Sequence, residues 1–155
     1  MELTLDSIVP QHAEFLSQIE LDKTQQEYIG GLDNYCNVQS GELILMVKLD
    51  DTPIGAMKLD FEYSSTYCFA TTNEIGLRGV MIDRKFQGRG YGLEAILQLR
   101  QFVSKYYKNY TAICLTVNHN NTQAYRCYLK AGFVDINKDY NGGALGPQRI
   151  MRLEI

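Results

Sequence analysis

The sequence predicts a layered α/β (α+β) domain, one sheet flanked by helices, and three observations carry that reading. Strand-like and helix-like segments follow one another in the order β-α-α-β-β-β-α-β-α-β-β. No interdomain linker, repeat or low-complexity tract separates them, so residues 1–155 read as a single domain. A chain of 155 residues can also bury a core without help from disulfides or a metal.

Glu2 to Asp6 alternates like a half-buried strand, and Pro10 to about Ile19 places Phe15, Leu16 and Ile19 at helical spacing. Asp22 suits the N-cap of a helical stretch reaching about Val38, which Gly30-Gly31 breaks or kinks. Leu43 to Leu49 is nearly continuously apolar and Asp50-Asp51-Thr52-Pro53 is turn chemistry. Met57, Leu59 and Phe61 then alternate with Lys58, Asp60 and Glu62, which completes a hairpin. Beyond the polar Thr71-Thr72-Asn73, a strand from about Ile75 to Ile82 enters a glycine-rich turn. The helix after that turn carries an apolar stripe at Ile96, Leu99, Val103 and Tyr106 and is expected to end near Asn109. Ala112 to Val117 is a short apolar strand suited to a central buried position, and Arg149 to Ile155 alternates as the last strand.

The segment from Val80 to Gly92 holds the strongest chemical signal. Glycines at alternate positions let the backbone approach a ligand, and the helix that opens there aims unpaired N–H groups and a positive dipole end at the same point, a fit for a diphosphate. A P-loop would require Gly-Lys followed by Ser or Thr, but Gly92 precedes Leu93 and Glu94. A Rossmann fingerprint fails as well, because Leu93 stands where its third small residue belongs. Gln-x-x-Gly-x-Gly remains, at Gln87, Gly90 and Gly92. A second element runs from Leu115 to Phe133. In it a strand meets Asn120 and Asn121, acceptors suited to a helix start, and Ala124, Tyr128 and Ala131 share one helical face that Gly132 terminates.

These two elements together resemble the signatures of the GNAT superfamily of acetyl-CoA-dependent N-acetyltransferases. The likeness is good from about residue 74 onward and rests only on element order before it. The resemblance implies a GNAT fold: a single mixed, mostly antiparallel central sheet with a cofactor cleft between the fourth and fifth strands. Acetyl-CoA would be the cosubstrate, with Val80, Met81 and Ile82 beside its pantetheine arm, amides of Gln87, Gly88, Arg89, Gly90, Tyr91 and Gly92 on its pyrophosphate, and Asn121 on the arm's other side. Tyr128 takes the position of the general acid that protonates the leaving thiolate. Some relatives of the ribosomal-protein type carry a glutamate base where this chain has Thr116, which cannot serve; Glu74 is the remaining candidate, acting through water. Met81-Ile82-Asp83 and the Asp22-to-Tyr35 region look like bacterial spermine/spermidine acetyltransferases. The expected acceptor is therefore a small polyamine-like amine, attacked directly, with Glu27, Asp33, Asp60 and Glu62 available for its charges. Alternatives are an aminoglycoside, an amino acid, a peptide or protein N-terminus, or a non-catalytic acyl-CoA-binding sensor. Many superfamily members form homodimers, often through the C-terminal strand.

Composition excludes other classes. Net charge is −3, the pI is near 5.4, and no lysine–arginine run exists, so nucleic acid and anionic membranes find no electrostatic footprint. Cys36, Cys68, Cys114 and Cys127 lie far apart with only His12 and His119 to assist, so neither a metal site nor a disulfide framework is expected. Buried free thiols, no leader and no apolar run near twenty residues lead to the expectation of a cytoplasmic protein. His119 reads as a surface turn residue, Tyr106, Tyr107 and Tyr110 as helix-end aromatics, and the loop from Asn141 to Gln148 as a connection that could border the acceptor pocket.

Overall fold

A computed structural model describes the backbone of residues 1–155 and the side chains of all but residues 10–12, so the side chain of His12 lies outside the described residues. Seven strands form one sheet in the order β1-β2-β3-β4-β5-β7-β6. They are β1 (Leu3–Ile8), β2 (Glu42–Leu49), β3 (Thr52–Asp60), β4 (Glu74–Ile82), β5 (Ala112–Asn118), β6 (Val134–Tyr140) and β7 (Gln148–Glu154). Neighbours are antiparallel except β4 and β5. The expected sheet, with its opening between the fourth and fifth strands, is the observed one.

Each face of the sheet has its own cover. Met57, Leu59, Leu77 and Ile113 pack under α4 (Tyr91–Tyr106), whose Ala95, Ile96, Leu99 and Val103 are buried. Ile44, Ala56 and Met81 pack under Phe15, Leu16, Ile19 and Tyr35. The first of these covers winds as a 3-10 helix over Pro10–Gln18 rather than as the expected α-helix. Asp22 caps α1 (Lys23–Tyr28) by accepting from the Gln25 amide at 2.9 Å, and Gly30-Gly31 separates α1 from α2 (Leu32–Cys36), as the glycine pair predicts. One-turn α3 (Tyr63–Thr66), unannounced by any pattern, covers β4 where Gly76 leaves room for the Tyr63 ring.

Two expectations are corrected. The stripe of α4 stops at Val103, because the helix ends at Tyr106, three residues before Asn109, and leaves that tyrosine 59% exposed against Phe102. Cys36 and Cys68 are exposed, one at the end of α2 and the other just past α3, while Cys114 is buried and Cys127 half-buried. C-terminal β7 lies between β5 and β6.

Where β4 leaves β5 decides the position of the site. The two pair only from Glu74 to Gly76 against Ala112 to Cys114. Beyond that β5 stays on β7 to its end, whereas β4 follows β3 through a bulge in which Gly79 and Val80 stand opposite Met57 alone. Such a bulge bends its strand, and Gly79 supplies the left-handed φ of +58° that it needs. A side chain there would also overlap the Tyr35 ring. The β4 edge from Leu77 to Ile82 therefore faces an opening instead of a neighbouring strand.

Candidate functional site

At the open end of β4 the chain is pinned before it turns. The Asp83 amide donates to Ile54 at 2.7 Å, and the buried Asp83 carboxylate accepts from the amides of Lys85 (2.9 Å) and Glu20 (3.0 Å). Gln87 donates to the Ile82 carbonyl at 2.7 Å and exchanges reciprocal amide bonds of 3.1 Å with Gln25 of α1. Gly88 and Gly90 follow with φ of +77° and +84°, and a Cβ built on either would meet nothing within 4 Å, so the turn presents bare backbone to open space. Helix α4 starts next with no side chain capping it, which leaves its first N–H groups directed at that space.

This turn forms one wall of a cleft of about 740 Å³, open solvent included. Val80, Met81, Ile82, Gln87, Gly88, Gly90, Tyr91, Gly92 and Asn121 all line it, opposite Tyr28 and Ile29. Arg89 does not line it; its guanidinium is exposed and lies 5.9 Å from the Phe86 ring. Asn121 begins α5 (Thr122–Lys130) without capping it, so its amide is free for the cleft. Asn118 closes the turn instead, accepting from the Asn120 amide at 2.9 Å and donating to Leu145 at 2.8 Å. A donor-lined turn, an unpaired strand edge and a free asparagine suit a long ligand with a diphosphate and amide groups, which is the chemistry of acetyl-CoA.

Tyr128, on α5, is 9% exposed and packs edge-on to Phe133. It borders two further cavities that share Tyr28 and Ile29 with the cleft. One includes Val80, Thr116, Asn121 and Leu145, and thus the loop that was expected as a possible border. The other is a broad polar basin over β2, β3 and β4. Burial, with a smaller contribution from Cys127, pushes the Tyr128 phenol above its ordinary value, so it keeps its proton at neutral pH.

Glu74 is not brought to this site. It lies 4% exposed at the closed end of β4 and lines none of the three cavities. Its carboxylate accepts from Arg152 Nε (2.6 Å), Cys114 Sγ (2.9 Å) and the Thr71 amide (2.9 Å). Burial alone would raise its pKa, but these bonds outweigh it and hold the group below its ordinary value; burial and the same contact push Cys114 up to about 12. The physical reason is position, since eight residues of strand separate Glu74 from Ile82, roughly 26 Å at ~3.3 Å per residue.

Lys58, Arg78 and Tyr35 line the basin, and sequence reasoning passed over them. Alternation in β3 put Lys58 and Asp60 on the polar side, yet both are only 6% exposed because α2 and α3 roof that face. Arg78 Nε donates to Asp60 at 3.0 Å, and its guanidinium lies about 5 Å from the Tyr63 and Tyr67 rings. Of the carboxylates expected on the acceptor side, Asp60 is spent on this pair, Glu62 lines the basin, Glu27 lines the smaller cavity and Asp33 lines none. His119 sits in its turn 2.9 Å from Asp139. Among the described residues no group of three metal-ligating side chains occurs, and no helix is long and apolar enough to cross a membrane.

Residues 6–133 match the profile of the acetyltransferase (GNAT) family. An N-acetyltransferase of Bacillus subtilis (strain 168), YbbJ, is 26% identical over 155 residues, covering 97% of this chain and 96% of that protein. Among solved structures, the aminoglycoside acetyltransferase AAC(6')-Ib with coenzyme A superposes with a TM-score of 0.79 at 18% identity, over 99% of this chain and 95% of that one. A chimeric spermidine N-acetyltransferase, SpeG, from Vibrio cholerae and hSSAT gives 0.73 at 18%, over 99% and 96%. At these identities the two structures speak for the shared fold.

Proposed function

Because this chain belongs to the GNAT acetyltransferase family and is an acetyl-CoA-dependent N-acetyltransferase, we propose that it acetylates the primary amine of a small molecule by direct attack. Acetyl-CoA supplies an activated acetyl group as a thioester. The acceptor nitrogen forms the new C–N bond at the carbonyl carbon, the C–S bond breaks, the nitrogen loses a proton, and the Tyr128 hydroxyl gives one to the departing sulfur. The observation that carries this reading is the adjacency of three cavities sharing Tyr28 and Ile29: the cleft at the donor-lined turn and two cavities bordered by the Tyr128 phenol, one of them a polar basin. Val80, Met81, Ile82, the turn from Gln87 to Gly92 and Asn121 would hold the donor, with Arg89 contributing only main chain.

An aliphatic ammonium with pKa about 10.4 is only ~10⁻³ deprotonated near neutral pH, equivalent to roughly 4 kcal/mol, so the acceptor's proton must leave through the basin or water. Glu74 is assigned a structural role, as the ion-pair partner of Arg152. The spermidine enzyme among the fold neighbours favours a polyamine acceptor, and Glu42 and Glu62 in the basin supply carboxylates for its charges. Aminoglycosides enter on the same footing through the other neighbours. Exposed, unpaired Cys36 and Cys68 suit a reducing cytoplasm, where we place the protein.

The test is thiol release from acetyl-CoA against spermidine, spermine, aminoglycosides, amino acids and short peptides, beside acetyl-CoA binding. Amine-dependent release is the expected result. Saturable acetyl-CoA binding with no release for any amine would replace the transferase reading by that of an acyl-CoA sensor.

A further inference from the structure

Two donors on the wall of the basin beside Tyr128, Lys58 and Tyr35, make no hydrogen bond within it among the described residues. Lys58 is 6% exposed, its ammonium lies 4.4 Å from the centre of the Tyr35 ring, and its nearest carboxylate oxygen among the described residues, on Glu42, is 4.0 Å away, beyond hydrogen-bonding reach. That Glu42 oxygen already accepts from the Gln39 amide at 2.7 Å. Asp60 is engaged on both oxygens, by the Glu62 amide (2.9 Å) and Arg78 (3.0 Å). The Tyr35 hydroxyl, on a residue 2% exposed, is shut off from solvent and has no hydrogen-bond partner among the described residues. Buried polar groups in folded proteins are nearly always satisfied, and an unpaired buried charge is costlier still. An unpartnered hydroxyl and an ammonium held only loosely by Glu42, side by side on one cavity wall, point to a ligand that completes them.

We propose that the acceptor is an amine that also carries a carboxylate, an amino acid being the smallest such class, and that Lys58 and Tyr35 bind that carboxylate. The inference rests on the transferase reading and narrows its acceptor. A carboxylate offers these two donors lone pairs and brings no donor of its own to compete. Charge balance agrees. The side chains of Glu42, Asp60 and Glu62 against Lys58 and Arg78 leave the basin one negative charge in excess, which a zwitterion does not change. A phosphate dianion would add to it. Burial also lowers the Lys58 pKa, with Glu42 opposing, as expected of a cation awaiting a counter-charge.

The deciding experiment is calorimetric titration of the coenzyme A-saturated protein with the common L-amino acids, their carboxamides, the matching decarboxylated amines, spermidine and kanamycin, in wild type, Lys58→Met, Lys58→Arg and Tyr35→Phe. At least one amino acid should bind tenfold or more tighter than its carboxamide. Lys58→Met should erase that difference with acetyl-CoA affinity unchanged, Lys58→Arg should retain part of it, and Tyr35→Phe should reduce it. Binding of carboxamide and acid alike, no amino-acid binding, or spermidine or kanamycin binding that improves in Lys58→Met would overturn the proposal. Binding is read without turnover, so these outcomes stand apart from failure of the transferase itself, which would appear as no thiol release with any amine.

Discussion

Tyr128 holds its proton because it is buried, and the proposed reaction draws on that proton for the leaving sulfur. Tyr128→Phe keeps the ring against Phe133 and removes only the hydroxyl, so kcat should fall by about 10²-fold while acetyl-CoA affinity and melting temperature hardly move. Steady-state rates beside a binding titration check this, and an unchanged kcat would move the acid role elsewhere. Glu74 is the opposite case, a carboxylate tied down far from the chemistry. Its folded pKa lies below the unfolded one, so the stabilisation it gives is complete above the unfolded value of about 4.3 and is lost as pH falls through the folded value. Glu74→Gln should therefore lower stability at pH 7 by about 1–3 kcal/mol, with Arg152 half-exposed, and flatten the acid limb of the stability curve below about pH 4.3. The pH profile of kcat/KM near neutrality should stay as in wild type. A change there would restore Glu74 to the proton pathway.

Two short devices shape the cleft at the level of elements. In the turn before α4, Gly90 has a left-handed φ and Gly92 does not, although their sequence contexts look alike. Spacing alone suggests that Gly90→Val would block acetyl-CoA with little effect on folding; its φ of +84° adds a cost of roughly 1–2 kcal/mol. Gly92→Ala, with its Cβ at ordinary distance from Cys127 and Ile82 in a helical position, should keep or raise stability by up to ~1 kcal/mol. Chemical denaturation of both variants with an acetyl-CoA titration separates the two effects, and wild-type affinity in folded Gly90→Val would remove the turn from the donor site. The bulge of β4 is the second device. Gly79→Ala places a methyl group against the Tyr35 ring at a strained φ, so it should cost about 1–3 kcal/mol and weaken acetyl-CoA binding together. Loss of stability with full affinity would mean that the bulge does not hold the cleft open.

Across the whole molecule, the cleft joins the two halves of the chain: Gln25 and Tyr28 come from the first half, and the turn, Asn121 and Cys127 from the second. A ligand bound there should stabilise the fold as a unit, by about 2.7 kcal/mol at a hundred times Kd, or roughly 5–10 °C in Tm for a domain of this size. A melting curve with two steps, only one of them shifted by acetyl-CoA, would show that the halves are not coupled. Most of the architecture was legible in the chain. Periodicity located six of the seven strands, all but β6; Asp22 and Gly30-Gly31 marked the bounds of α1 and α2, and the glycine turn announced the candidate site, because each depends on neighbours within a few residues. The C-terminal end of α4, the 3-10 winding of Pro10–Gln18 and one-turn α3 were not legible, since packing rather than local pattern selects them. The same division runs through the candidate site. The sequence by itself determined the family and located the glycine turn that walls the cleft, through motifs whose spacing is local. Only the tertiary structure decided that Glu74 is remote from the cleft and that Lys58 is buried beside Tyr35: strand length carries the one away, and a roof of helices from elsewhere in the chain turns the nominally solvent face of β3 into the floor of a basin.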